Sequence, residues 1–392
     1  MRKALPSVVL LIAITWANPT KAQKWIDQSI TTVAAHYQNA IATQADITKY
    51  PRTYANGKVS TVSSGDWTSG FFPGTLWQLY KATGNTSFKE SAKQWQKGLE
   101  REQYNRGTHD LGFMMYCPSG EAYKVEPDTH TARVLLNSAA SLASRYQERV
   151  GCIRSWDHTP RGMGWQFPVI IDNMMNLELL YWAANQGVNP QFTQIANRHA
   201  QTTLVNHFRK DNSSFHVIDY DTNTGKVRWK GTLQGYANAS AWARGQAWAL
   251  YGYTVCYRFT QDTTYLNQAR RIANYMLKHR NMPKDLVPYW DYQAPEIPNE
   301  ARDASAAAVA ASGMLEMAGY LGVEGYYYRN KAIAILKSLS GPKYLAKPNT
   351  NGNFALMHST GAAPFNSEVD VPLNYADYYY IEALIRLKTG KI

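Results

Sequence analysis

One phrase of this 392-residue chain occurs twice at full strength and limits what the rest can build. Tyr80, Thr83, Asn85, Thr86, Phe88 and Ala92 recur, at identical spacing, as Tyr257, Thr260, Asp262, Thr263, Tyr265 and Ala269. Looser copies run from Trp182 through Asn189, Pro190 and Phe192 to Ala196, and from Tyr320 through Gly325 and Tyr328 to Ala332. In each copy an aromatic residue ends one helical stretch, polar residues or Gly make the turn, Thr or Asn caps, and a second helix opens. A lone helix hairpin cannot bury its apolar faces, so the copies must stack, either in an open solenoid or in a closed ring.

Apolar residues at helical spacing predict helices near 24–43, 70–83, 87–103, 129–147, 173–186, 190–208, 239–259, 263–279, 302–319, 325–340 and 374–388, with room for a twelfth. Strand signals are few. Ser214 to Tyr220 facing Lys226 to Lys230 across a Thr-Gly turn reads as a hairpin. The class is therefore all-α, and with no Pro/Gly/Ser linker the mature chain reads as one domain over 23–392. Trp67, Phe71, Trp165, Trp229, Trp242, Trp248 and Trp290 fall at helix starts or in the loops before them. Aromatics gathered at one end favour a closed double ring of six helical hairpins, an (α/α)6 barrel with a pocket at that end, over a solenoid with a long concave face.

Arg2 and Lys3, then the apolar run Val8 to Ala17, then Thr20-Lys21-Ala22, form the pattern of a secretory signal peptide over residues 1–22. This predicts a periplasmic or secreted protein. No Cys follows the cut and no later apolar run is long enough to span a bilayer, so no membrane anchor is expected. Removing the leader lowers the formal charge from +12 to +9. The remaining Lys and Arg are dispersed, without a basic run, which argues against nucleic acid and for a small acidic carbohydrate as partner. Cys117, Cys152 and Cys256 are too few for a disulfide framework, although one bridge is possible. Nothing in the spacing of the nine histidines points to a metal, and no cofactor is expected. Monomer and homodimer remain equally open.

Asp110 and Asp172 are acidic residues in apolar company, the first followed by Leu111, Gly112, Phe113, Met114 and Met115, the second between Ile170-Ile171 and Asn173-Met174-Met175. Such surroundings penalise the charged form, so a carboxyl there holds its proton towards neutral pH and can serve as an acid. Asp172 equally fits an N-cap preceding a buried helix, where the helix dipole would lower its pKa. The apolar neighbours, and above all a second carboxylate at Asp110, would raise it; two such groups sharing a proton predict a mildly acidic optimum. Further along, Trp242, Arg244 and Trp248 share one stretch with Gln234 before it. Indoles can hold the apolar face of a pyranose, and an Arg can fork a carboxylate or, alternatively, pair with a structural Asp.

These residues resemble a known family. Asp66-Trp67-Thr68-Ser69-Gly70-Phe71-Phe72-Pro73-Gly74, His109-Asp110-Leu111-Gly112-Phe113, Ile171-Asp172-Asn173-Met174-Met175-Asn176, Ser240 with Trp242, Arg244, Gln246 and Trp248, Arg302-Asp303 with Ser305, and Ala376-Asp377-Tyr378-Tyr379-Tyr380 with Glu382 look like unsaturated glucuronyl hydrolases, family 88 of the glycoside hydrolases. The resemblance covers the mature chain in order. It implies an (α/α)6 barrel, no metal, and release of a 4,5-unsaturated uronic acid from the non-reducing end of lyase-generated oligosaccharides of glycosaminoglycan type. It further implies Asp172 as general acid and base, Asp110 as its orienting partner, and Gln234, Trp242, Arg244, Trp248, His216, His109 and Trp67 around the uronate. The loop His358 to Asp370 has hydroxyls but no Lys, unlike members that favour sulfated fragments.

Three other readings compete. A related hydrolase of pectin-derived unsaturated rhamnogalacturonan fragments would share barrel and chemistry. A non-catalytic glycan-binding protein of an uptake system would usually carry a lipidated Cys and would not need two apolar-flanked Asp. A sugar epimerase on a similar barrel would lean on paired histidines, for which His109, His216 and His358 are available.

Overall fold

The structure, a computed structural model, describes residues 21–158 and 162–391. The leader expected over 1–22 lies outside the described residues as far as residue 20; Lys21 and Ala22 open the first helix.

Among the described residues twelve α-helices follow in chain order: α1 (Lys21–Thr43), α2 (Phe71–Thr83), α3 (Thr86–Leu99), α4 (Glu121–Val125), α5 (Thr129–Ala143), α6 (Leu177–Asn185), α7 (Gln191–Asn206), α8 (Ala243–Thr260), α9 (Thr263–Lys278), α10 (Ala304–Tyr320), α11 (Gly325–Leu339) and α12 (Asn374–Thr389). Two are extended at their N-terminal side: α4 continues a π-helix, Gly112–Gly120, and α6 continues a 3-10 turn, Ile171–Asn176. The ring can be followed by contact: α2 packs on the π-helix, that on the Ile171–Asn176 turn, that on α8, then α10, α12 and α2 again. Each inner member pairs with an outer helix, namely α3, α5, α7, α9, α11 and, for α12, α1. The fold is an (α/α)6 barrel, with all six inner segments starting at the same end.

The repeated phrase is a repeated hydrogen-bond pattern. Thr83 and Thr260 hydroxyls donate to the carbonyls of Leu79 and Cys256, while Asn85 and Asp262 side chains accept from the amides of Ser87 and Thr264. Gly84 and Gln261 take up the left-handed backbone between the two helices of each pair. The caps are thus Asn85 and Asp262, one residue before the Thr at the first helical position.

Two departures from the sequence reading matter for the site. The helical segment 112–125 was not among the predicted stretches; Pro118 and two glycines lie within its π-helix, and a π-helix does not repeat at 3.6 residues. The expected hairpin is present as β6 (Val217–Tyr220) and β7 (Val227–Gly231), but a further strand, β5 (Phe167–Ile170), pairs antiparallel with β6, setting Ile170 opposite Val217. Pro168 is accommodated because β5 is an edge strand. Elsewhere, β1 (Tyr50–Ala55) and β2 (Lys58–Val62) form a hairpin across Asn56-Gly57, both at positive φ, and the short β3 (Tyr146–Gln147) pairs antiparallel with β4 (Cys152–Ile153).

The inner ring is filled with aromatic and aliphatic side chains around Phe71, Phe113, Trp248, Tyr375 and Tyr379. At the end away from the helix starts it is plugged by ions. Arg258 pairs with Glu178 and with Glu316 (2.6 Å), and Arg386 reaches Glu316 at 3.2 Å and Glu382 at 3.5 Å. Cys117, Cys152 and Cys256 are all buried free thiols. Among the described residues no helix is long and apolar enough to cross a membrane.

Candidate active site

Sheet register and one missing side chain bring the two Asp-bearing segments together. The Ile171 amide donates to the His216 carbonyl (2.9 Å), extending the β5–β6 pairing by one residue and leaving Asp172 in the first turn of the segment that becomes α6. Asn176, one turn on, accepts the Phe113 amide through its Oδ1 (3.1 Å). Gly112 is what allows that approach, since a Cβ there would lie 2.6 Å from the Asn176 Cα. Gly252 on α8 does the same from the other side, where a Cβ would meet the Met174 Cβ at 2.6 Å.

Asp110 and Asp172 both line one cavity of about 330 Å3, with Trp67, His109, Phe113, Trp156, Ile170, Leu233, Gln234, Arg244, Ala362 and Phe365. These residues stand at or just before the starts of the inner segments, so the positive ends of several helix dipoles face the space. A larger depression, about 500 Å3, lies at the opposite end beside the ion plug, where Glu316 and Arg386 are already paired.

Asp172 is not an N-cap. Ile170 holds that position and no side chain caps the turn. Burial raises the Asp172 carboxyl from the ordinary carboxylate range to about 7; Arg244 opposes this, Asp110 adds to it, and the Trp248 indole again favours the charged form. Burial, rather than the second carboxylate, is therefore the main cause of the rise, in contrast to the weight that the sequence reading placed on Asp110. Asp110 receives a hydrogen bond from the Thr108 hydroxyl (3.2 Å) and lies 3.3 Å from the His109 Nε2. His109 donates from Nδ1 to the Ser155 carbonyl at 2.9 Å, and burial lowers its pKa.

Of the nine residues singled out in the sequence, six face the cavity: Asp110, Asp172, Gln234, Arg244, His109 and Trp67. Three stand directly behind it. His216 is fully buried with its Nε2 3.6 Å from the Asp172 Oδ2, Trp242 packs between the His216 ring (4.7 Å) and the Arg244 guanidinium (4.5 Å), and Trp248 lies against Phe113 (5.2 Å). Arg244 is committed on one side to a structural Asp, as the alternative reading allowed: it pairs with Asp303 at 2.9 Å and donates to the carbonyls of Thr360 and Gly361. Its Nε–H has no protein partner. Sequence reasoning missed Trp156, Ala362 and Phe365, which come from irregular loops and carry no periodic signal.

A cluster of unpartnered buried polar atoms surrounds the same point: Arg244 Nε, Trp248 Nε1, His216 Nε2, His109 Nε2 and Asp172 Oδ2. Buried polar groups in folded proteins are nearly all satisfied, so Arg244 Nε and His109 Nε2, which belong to residues lining the cavity, mark it as a place for a polar ligand, while His216 Nε2 and Asp172 Oδ2 lie 3.6 Å apart behind it.

The profile of Glycosyl Hydrolase Family 88 matches residues 40–388. The chain belongs to glycoside hydrolase family 88. This family 88 enzyme is a glycosidase, 44% identical, over 98% of both chains, to an unsaturated glucuronyl hydrolase of Formosa agariphila. It is 35% identical to an unsaturated chondroitin disaccharide hydrolase of Streptococcus pneumoniae, covering 82% of this chain and 81% of that one. The crystal structure of an unsaturated glucuronyl hydrolase specific for heparin superposes with a TM-score of 0.90 at 47% identity, covering 93% of this chain and 97% of that one.

Proposed function

We propose that this family 88 glycosidase removes the 4,5-unsaturated uronic acid from the non-reducing end of lyase-generated, glycosaminoglycan-type oligosaccharides, with Asp172 as acid and base. The observation that carries the reading is a buried carboxyl with its pKa at about 7, facing a cavity that also receives the unpartnered Nε–H of Arg244. Relatives named for unsaturated glucuronyl and chondroitin disaccharide hydrolysis support it.

In this reading the Asp172 proton passes to C4 of the C4=C5 enol ether. The π electrons form the new C4–H bond, and positive charge develops at C5, shared with the ring oxygen. Water adds at C5 and returns a proton to Asp172; the resulting hemiketal opens and releases the neighbouring sugar. Asp110, beside His109, orients the acid and stabilises the cation. The free Arg244 Nε–H and the helix starts accommodate the uronate carboxylate.

The test is loss of the ultraviolet absorbance of the conjugated enol ether on a panel of unsaturated chondroitin, hyaluronan, heparin and pectin-derived disaccharides. Decay on the glucuronate-derived members is expected, with a rate that falls as pH rises through about 7, where Asp172 loses its proton. Absence of decay on every member removes the reading.

Export belongs to the same proposal. Arg2, Lys3, the Val8 to Ala17 run and Thr20-Lys21-Ala22 support a cleaved leader and a periplasmic or secreted destination. The intact mass of the exported protein should begin at Gln23; an uncleaved chain in the cytoplasm contradicts it.

A further inference from the structure

His216 has no surface in the cavity, yet its ring nitrogens are the most constrained at the site. Nδ1 accepts two backbone amides, from Leu233 (3.1 Å) and Gln234 (3.2 Å). An acceptor of two N–H groups cannot itself carry a proton, so the ring proton of neutral His216 is on Nε2. Burial, then Arg244, His207 and His109, disfavours the doubly protonated ring. Trp242 on one face and the edge contact with Trp156 (6.0 Å) hold the ring in place, and the Ile171–His216 backbone bond ties its height to that of Asp172. The nitrogen that carries the proton, Nε2, thus lies 3.6 Å from the Asp172 Oδ2, and neither atom makes a hydrogen bond elsewhere in the protein.

We infer that His216 is a positioning residue that selects which oxygen of Asp172 carries the transferable proton. With an N–H fixed opposite Oδ2, that oxygen is kept as the acceptor and the proton resides on Oδ1, the oxygen left to face the cavity. The 3.6 Å separation is slightly longer than a hydrogen bond, and such catalytic contacts shorten when substrate is bound. When the proton leaves Oδ1 for the substrate carbon, Oδ2 gains charge and the Nε2–H contact strengthens, so the residue favours the transition state over the resting acid. Arg244 and Asp110 also act on this carboxyl through their charges and the Trp248 indole through a hydrogen bond, and a substitution at His216 leaves all three side chains in place. The inference rests on Asp172 being the acid.

The experiment compares His216→Asn and His216→Gln with wild type, with and without substrate. Asn retains an acceptor for the Leu233 and Gln234 amides but is too short to reach Asp172; the Gln amide reaches the Nε2 position. In the substrate-free wild type, imidazole 15N spectra should show His216 as the Nε2–H tautomer, and the Asp172 carboxyl should titrate lower than in His216→Asn. On an unsaturated disaccharide, His216→Asn should lose about 10- to 100-fold in kcat with KM little changed, as for loss of one hydrogen bond to a charged group, and its basic limb should move to higher pH. His216→Gln should regain most of kcat. A proton on Nδ1, equal kcat and pH limbs in the two variants, or a raised KM with unchanged kcat would overturn the inference. Failure of wild type to consume any unsaturated disaccharide would instead overturn the proposed function, while the tautomer and the Asp172 titration still decide the placement of the proton.

Discussion

Asp172→Asn is expected to lower turnover by about 10²–10⁴-fold, the usual share of a general acid, and to leave a fully folded protein. It should also be more stable than wild type at pH 8, and no longer so at pH 4. Folded Asp172 holds its proton to about pH 7, whereas the unfolded chain releases it near 3.8. Between those values the native state binds more protons, so stability falls as pH rises through the window. Fully expressed above pH 7, three pKa units correspond to a cost on the order of 4 kcal/mol, an upper bound that the neutral amide avoids. Thermal unfolding of both proteins from pH 4 to 8 reads this directly, and parallel curves for the two would contradict a buried, proton-holding carboxyl.

The second large effect lies at the far end of the barrel. Arg258→Ala should cost about 3–5 kcal/mol, because it strips the fully buried Glu316 of its forked partner and leaves Glu178 unpaired. Arg386, 3.2 Å from Glu316, keeps the loss towards the lower figure. Burial alone would raise the Glu316 pKa; Arg258 and Arg386 overcome this and hold it at about 2. Its folded value is thus depressed from 4.5, so the stability it contributes is present above that pH and lost as pH falls towards 2. The deficit of Arg258→Ala, measured by denaturant unfolding, should narrow on acidification, and adding Glu316→Gln should recover part of it. A deficit below about 1 kcal/mol would place the plug among surface-like pairs.

The parts of this molecule that were legible beforehand are those in which a local rule and the tertiary context agree. Thr83, Asn85, Thr260 and Asp262 read as a helix-turn-helix because each makes its hydrogen bond within a few residues. The π-helix at Gly112–Gly120 did not read so, since its apolar residues face neighbours on every side and Pro118 looks like a stop. β5 hid for a related reason: Phe167-Pro168-Val169-Ile170 is buried throughout and shows no alternation. The Asn56-Gly57 turn was an available signal that the helical reading passed over. At the site, residue types singled out Asp110, Asp172 and Arg244, and the family resemblance, carried over by motif position, collected them with Gln234 around one subsite; the four line one cavity. Which side of Arg244 is occupied, and that Ile170 rather than Asp172 caps the turn, depend on Asp303 and on strand pairing with His216, partners 59 residues and more away or set by register.

The pairing of α1 with α12 has a consequence for how such a ring is made. The hydroxyl of Tyr37 on the first helix meets Asp377 on the last, and Lys388 reaches Asp27 at 2.8 Å. Assembly therefore ends in a seam between segments more than three hundred positions apart. Until Asn374–Thr389 has been synthesised the nascent polypeptide has an open edge on both sides, and the entropy of bringing those extremes together opposes early closure. A barrel laid out in this order cannot be closed before its last helix exists, so closing the seam between first and last helix is the final step that its connectivity permits.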